Sequence, residues 1–311
     1  MYYKCPSYLG GLLLRSFFFL IFVGLVACDS PSLSVLNGKP ESGIMGGADV
    51  ADDDSLALSV VGIYNTEFNG ICTGTLLEGN IVLTAAHCVA HPSKLKIIFG
   101  LDIDEYLAAR EQDVIEEHIR QVTDAKAHPD YADEPSDSRN TDFSDIALLR
   151  FGGKVPEGYV PAKFLPDDKV LVKGAAVTLM GYGVNDVQVT RIDAATYKDL
   201  EEGIEYGEIM CDKPRQNCFK IEYSGDGILR KTTAEIDMIS QSEVVVDESN
   251  GRGTCLGDSG GPAFLKQDGQ YFLFGVTSRG GELCDDVGVY TNAVYFQDWI
   301  QKTMPQLGKR H

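Results

Sequence analysis

Three segments of the 311-residue chain hold a histidine, an aspartate and a serine in settings where they could act together: Thr84-Ala85-Ala86-His87-Cys88, Asp145-Ile146-Ala147-Leu148-Leu149 and Gly257-Asp258-Ser259-Gly260-Gly261-Pro262. A serine hydroxyl is a weak nucleophile at neutral pH and needs a base. An imidazole, titrating near neutrality, can take its proton. The imidazole in turn needs a buried carboxylate to fix its tautomer and stabilise its charged form. Glycines around the serine let its backbone approach a substrate and aim N–H groups at a developing oxyanion. Each segment alone has a plainer reading: a packed histidine, an aspartate ending a strand, a glycine-rich turn. Together, His87, Asp145 and Ser259 would form an acyl-transfer site.

Such residues have to be held by a scaffold, and the composition points to strands. With 44% hydrophobic residues the chain can bury a sizeable core, and 33 Gly and 12 Pro punctuate short Val/Ile/Thr runs. Strands are expected at residues 56–61, 75–77, 81–83 and 96–99, and again from 176–180. Residues 101–120 are read as a charged loop with acidic insertions, 130–142 as polar and exposed, and 155–166, which contains Pro, as a link between two halves. Residues 295–304 have helical spacing, with Phe296, Trp299 and Ile300 on one face and Pro305 just beyond. A net charge of −19 argues against nucleic acid or an anionic membrane surface as a partner.

The N-terminus reads as an export signal. Lys4 and Arg15 precede a ten-residue apolar run, 17–26, too short to span a bilayer as a helix. The run ends in Leu25-Val26-Ala27-Cys28, which resembles the lipobox of bacterial lipoproteins and implies cleavage after residue 27 with a lipid on Cys28. Residues 28–43, rich in Ser, Pro and Gly, form a tether or propeptide. Of eight cysteines, Cys5 leaves with the signal and Cys28 carries the lipid. Six remain, Cys72, Cys88, Cys211, Cys218, Cys255 and Cys284, an even number that suggests three bridges in an oxidising compartment. No C-x-x-C occurs and the five histidines make no ligand cluster with these cysteines, so no metal site is expected.

The three motifs, in the order His, Asp, Ser, resemble the chymotrypsin/trypsin family of serine proteases; subtilisins and α/β-hydrolases use other orders. The resemblance covers residues 44–304 and extends to Gly181-Tyr182-Gly183, His128-Pro129-Asp130-Tyr131 and Gly288-Val289-Tyr290-Thr291. It implies an all-β fold of two antiparallel six-stranded barrels, about 44–155 and about 171–295, with a terminal helix near 295–304, the protease domain running from 44 to 311. It also implies bridges Cys72–Cys88 and Cys255–Cys284, whereas Cys211 and Cys218, inside a segment longer than the family's usual loop, are read as bridging each other. By the same carry-over Gly257 and Ser259 supply oxyanion N–H groups, Ser278 supports Asp145, and Gly253, Ser278, Gly280 and Gly288 bound the substrate pocket. Gly253 at the pocket floor implies large apolar side chains, with Asp285 and Asp286 as the counter-case for basic ones. Arg279 stands where the family usually has Trp.

Ile44-Met45-Gly46-Gly47 resembles the family's new N-terminus, freed by cutting a zymogen, whose ammonium would insert beside Asp258. Residue 43 is Gly, so another protease is implied as activator. The expected partners are therefore peptide or protein substrates and that activating protease, for a monomer. The expected location is a lipid-anchored one outside a bacterial cytoplasmic membrane, or secreted after release. No cofactor is required. The acidic stretch 102–117 overlaps the family's calcium loop in position but matches its spacing poorly, which leaves calcium an open alternative.

Overall fold

A computed structural model of the chain describes residues 44–132 and 143–309. The expected signal peptide, the tether, Cys28 and most of the polar segment 130–142 lie outside the described residues.

The short strands close into two barrels. After β1 (Ala48–Asp49), the first barrel contains β2 (Val60–Asn65), β3 (Gly70–Leu77), β4 (Ile81–Thr84), β5 (Leu95–Ile98), β6 (Ile119–Ala127) and β7 (Ala147–Phe151), joined in the order β2-β3-β4-β7-β6-β5. The second contains β8 (Ala176–Gly181) and, after the insertion described below, β12 (Arg230–Ile239), β13 (Glu243–Asp247), β14 (Pro262–Gln267), β15 (Gln270–Gly280) and β16 (Val287–Asn292). The β12–β8 pairing closes it, and β1 is added outside β12.

The two-residue period of the strands sorts their side chains into separate cores. Val61, Ile63, Leu76, Val82 and Leu149 fill the first barrel, and Val177, Leu179, Ile236, Val246 and Phe274 the second. The alternate positions are apolar too. Val60, Leu77, Leu83, Leu148, Met180, Phe264 and Leu273 form a third core with Phe296 and Ile300 of the terminal helix. Each such buried side chain contributes about 1.5–3 kcal/mol. This seam holds the two barrels against each other, so residues from both can share one site. The terminal helix is α-helical over Gln297–Thr303. His128 of the first half packs against it, its ring 5.0 Å from both Phe296 and Trp299.

Two expectations are corrected. Residues 101–120 are not a loop: Ile103–Ala108 and Gln112–His118 are short helices, α1 and α2. Asp102 caps the first by accepting the Glu105 N–H, and Ile103 is the one buried residue of the two helices, whose shortness hid them in a charged stretch. Residues 56–61 are not one strand, because a 3-10 turn over Ala57–Ser59 precedes β2.

All three disulfides form as expected: Cys72–Cys88, Cys211–Cys218 and Cys255–Cys284. The second lies in the insertion, where β9 (Asp186–Ile192), β10 (Ile209–Lys213) and β11 (Gln216–Ser224) make a separate three-stranded sheet with helix α3 (Leu200–Glu205). Leu200, Ile209 and Cys218 are its own small core. No helix among the described residues is long and apolar enough to cross a membrane.

Candidate active site

The register of two neighbouring strands brings His87 and Asp145 together. β4 pairs with β7 through Thr84↔Ala147, so residues just after β4 lie opposite those just before β7. Asp145 Oδ1 accepts the N–H of Ala86 at 2.7 Å and of His87 at 3.1 Å. Its Oδ2 lies 2.8 Å from His87 Nδ1. The second barrel holds the same aspartate: Ser278 Oγ donates to Oδ2 at 2.7 Å, and Thr291 Oγ1 donates to the Asp145 carbonyl at 2.8 Å. Asp145 is only 4% exposed. Burial pushes its carboxyl up, but the hydrogen bonds from His87 and Ser278 outweigh this and hold it below the ordinary value. An ionised carboxylate only accepts, so the hydrogen bond requires a proton on His87 Nδ1, which in a neutral imidazole makes Nε2 the acceptor nitrogen.

Ser259 enters from the second barrel, half-buried, on the turn before β14. Thr73 of β3 fastens that turn to the first barrel. Its N–H donates to the Ser259 carbonyl at 2.8 Å, and its Oγ1 donates to the Gly257 carbonyl at 3.0 Å. A side chain at Gly260 is excluded: its φ is 81° and a Cβ would lie 1.9 Å from Thr84 Oγ1. Gly257 likewise has φ 97°.

Asp258 beside the serine is fully buried, its carboxylate accepting the N–H groups of Gly183 at 2.7 Å and Cys255 at 2.9 Å. Gly181 and Gly183 flank Tyr182 because any Cβ there would meet that carboxylate at 2.2 and 2.5 Å. Burial pushes the Asp258 carboxyl up to about 7, the buried Glu248 adding to this and Arg230 opposing it. Among the described residues it forms no ion pair. Ile44 is fully buried, and the Met45 carbonyl accepts the Gly253 N–H at 3.0 Å.

The residues expected to bound a substrate pocket have a neighbour that was not expected: the carboxyl-bearing side chain of Glu248 takes the space beside Gly253 and Gly288. A Cβ on Gly253 would lie 2.4 Å from Glu248 Cδ, and one on Gly288 would lie 2.3 Å from its Oε1. Asp285 and Asp286, the acids weighed from the sequence, are exposed. Gly280 faces mostly open space, with only the Val287 carbonyl within 4 Å of a Cβ built there. Arg279 is fixed by Glu243 through bonds of 2.7 and 2.9 Å, and its guanidinium stacks 4.2 Å over Phe143. Sequence reasoning missed Glu243, Glu248 and Thr73. Glu248 follows Asp247 just before Asn250-Gly251, where it looks like an ordinary turn acid.

The only His/Cys/Asp/Glu group among the described residues with ligand atoms within 4.8 Å of one another is Cys72, His87 and Cys88. Both sulfurs belong to the disulfide, so neither is a thiolate ligand. The acids of 102–117 form no such group among the described residues.

Comparison with known proteins adds a family. The trypsin family model matches residues 44–300. The chain is 28% identical over 251 residues to tryptase of Mus musculus, covering 78% of this chain and 81% of that one. It is 27% identical to the CLIP domain-containing serine protease B15 of Anopheles gambiae, over 75% of this chain and 61% of the mosquito protein. It is 24% identical to phenoloxidase-activating factor 1 of Holotrichia diomphalia, over 89% and 80% of the two chains.

Proposed function

The chain belongs to the trypsin family and is a serine endopeptidase, and from this premise we propose that it cuts peptide bonds with Ser259 as nucleophile, His87 as base and Asp145 as its orienting acid. The observation that carries the reading is the 2.8 Å contact between His87 Nδ1 and an Asp145 carboxylate gripped by both barrels. Ser259 Oγ attacks the scissile carbonyl as its proton passes to His87 Nε2. The N–H groups of Gly257 and Ser259 stabilise the oxyanion, and collapse of the intermediate passes the proton to the leaving amine. Water, deprotonated by His87, then hydrolyses the acyl ester and restores the serine. Every step uses the chain's own groups.

The test is covalent labelling. After cleavage before Ile44, a fluorophosphonate probe is expected to modify Ser259 and to leave the Ser259→Ala protein unlabelled. An activated wild type that stays unlabelled and cuts no peptide would sink the assignment.

The chain is made as a zymogen in this reading, with an as yet unidentified protease cutting before Ile44 and with protein or peptide substrates as its remaining partners. The lipid on Cys28 is a separate proposal, and Leu25-Val26-Ala27-Cys28 alone supports it. The relatives quoted are animal proteins and have no bearing on it. The chain would sit on the outer side of a membrane through that lipid until released. A Cys28→Ala precursor is expected to leave the membrane fraction for the soluble one; a variant that still sediments with membranes would remove the anchor from the account.

A further inference from the structure

Arg279 stands where the family usually has Trp, and its contacts lead back to the catalytic aspartate. Ser278 and Arg279 are neighbours on β15, at a bulge where the register against β16 shifts between Thr277 and Arg279. A bulge re-aims the residue it frees. Here Ser278 Oγ is aimed at Asp145 Oδ2, 2.7 Å away. Arg279, next to it, reaches the same segment of the first barrel. Its guanidinium lies 4.2 Å over the ring of Phe143, two residues before Asp145.

That segment needs holding. Ser144, between Phe143 and Asp145, has φ 46°, a left-handed conformation unfavourable for a residue with a side chain, and it is only 8% exposed. Strain of this kind persists where the surroundings over-determine it. After Ser144, Thr291 Oγ1 donates to the Asp145 carbonyl and Ser278 Oγ to its carboxylate. Before Ser144, Phe143 is covered by Arg279. The guanidinium is itself fixed, because its two terminal nitrogens donate to the two carboxylate oxygens of Glu243 at 2.7 and 2.9 Å. Glu243 sits opposite Thr291 in the β13–β16 ladder, and its side chain is 7% exposed. Its N–H donates to Ser240 Oγ and its carbonyl accepts from the same hydroxyl, both at 3.0 Å. Acid, cation and ring thus form a chain from the β12–β13 turn to the residue before Ser144.

We propose that Arg279, held by Glu243, is a positioning residue for the triad: its grip on Phe143 keeps residues 143–145 in the turn that presents Asp145 Oδ2 to His87 Nδ1. This rests on the assignment of Asp145 as the orienting acid, and it gives a task to the position where this chain departs from the family. Arginine suits that task. Its planar fork binds a carboxylate edge-on while its face stacks on a ring, whereas lysine offers only a point charge. The charge of Arg279 is already met by Glu243, so the side chain acts through Asp145 rather than on substrate.

Steady-state kinetics of the activated enzyme test this on two anilide substrates that share the residue at the cut, one a single residue long and the other a hexapeptide. Arg279→Gln should lower kcat by about tenfold on both, with KM within about twofold, because a small displacement of Asp145 weakens the base whatever the substrate's length. In an Asp145→Asn background the same change should cost less than about twofold, since the bond it protects is already lost. Phe143→Leu removes the ring and leaves the Arg279–Glu243 pair. It should repeat the pattern with a loss of about threefold, and it keeps the test open if Arg279→Gln does not fold. A KM rise confined to the hexapeptide, with kcat unchanged, would put Arg279 in contact with substrate and overturn the proposal. So would a tenfold loss that persists in the Asp145→Asn background, the mark of a general structural role, or unchanged kinetics in both folded variants. Failure of the premise is told apart by Asp145→Asn alone, whose kcat would then fall less than about tenfold, and the proposal would fall with it.

Discussion

Asp145→Asn is expected to lower kcat by about 10⁴-fold while KM stays within about threefold. The side chain keeps its shape and its buried place, so substrate binding is spared. What changes is the hydrogen bond to His87. Asp145 Oδ2, 2.8 Å from Nδ1, accepts both from the imidazole and from Ser278 Oγ at 2.7 Å, and Oδ1 accepts two backbone N–H groups. Oδ1 must therefore remain the amide oxygen in the variant, which puts the NH₂ at the Oδ2 position, facing His87. That NH₂ turns a lone pair of Nδ1 towards itself, and the proton moves to Nε2, where a base is needed. Steady-state kinetics on one peptide decide the matter; a loss under about tenfold would show that the aspartate does not set the tautomer. Stability gives an independent readout. The folded carboxyl lies below its unfolded value, so its contribution is present at neutral pH and is lost as pH falls through the folded value. The wild type should therefore lose stability in acid more steeply than the variant.

The motifs around His87, Asp145 and Ser259 were legible because their chemistry sits in contiguous residues beside short apolar runs. Residues 81–83 read as a strand, whereas the pairing of β4 with β7 that brings His87 to Asp145 is a property of the fold, since no strand was expected at 147–151. The insertion was legible only as extra length with two cysteines, because β9 has no buried residue whose alternation could declare it a strand. α1 and α2 were missed because they are short, six and seven residues: Ile103, Tyr106 and Leu107 have helical spacing on the core side, but over a single turn of a charged stretch, with Asp102 as N-cap. The Asp54 side chain likewise accepts the Leu56 N–H at 2.9 Å and starts a 3-10 turn inside what looked like a strand. The place of Glu248 was not legible for a geometric reason: it packs against Gly253 and Gly288, five and forty residues further on, and nothing in the local sequence shows that their missing side chains make room for a carboxylate.

Cleavage before Ile44 is expected to raise kcat/KM by about 10³-fold, and Asp258→Asn to cancel most of that gain. The groundwork is visible in the uncut chain. Ile44 is a fully buried β-branched residue with φ 38°, a left-handed conformation that costs about 1–3 kcal/mol. Once residue 44 is the first residue it has no preceding carbonyl, and that strain disappears. Met45 already accepts the Gly253 N–H, and Gly46 packs so tightly that a Cβ would lie 2.3 Å from the Gly251 carbonyl. The new ammonium would thus be held against the segment that runs on to Asp258 and Ser259. In the uncut chain the Asp258 carboxyl titrates at about 7, against 3.8 for an ordinary one. Between those values the folded state binds a proton that the unfolded state has released, so stability falls as pH rises towards about 7 and the full penalty is present above it. Each pH unit in that window is worth about 1.4 kcal/mol. An ammonium partner would lower the folded value and remove the dependence. Denaturant midpoints at pH 5 and pH 8, compared for cut and uncut protein in a Ser259→Ala background, isolate this effect, because Glu248 contributes its own slope to both forms. The uncut protein should lose stability on going to pH 8 by about 2–3 kcal/mol more than the cut one. Parallel pH profiles, or cut Asp258→Asn protein with wild-type activity, would separate activation from this carboxylate.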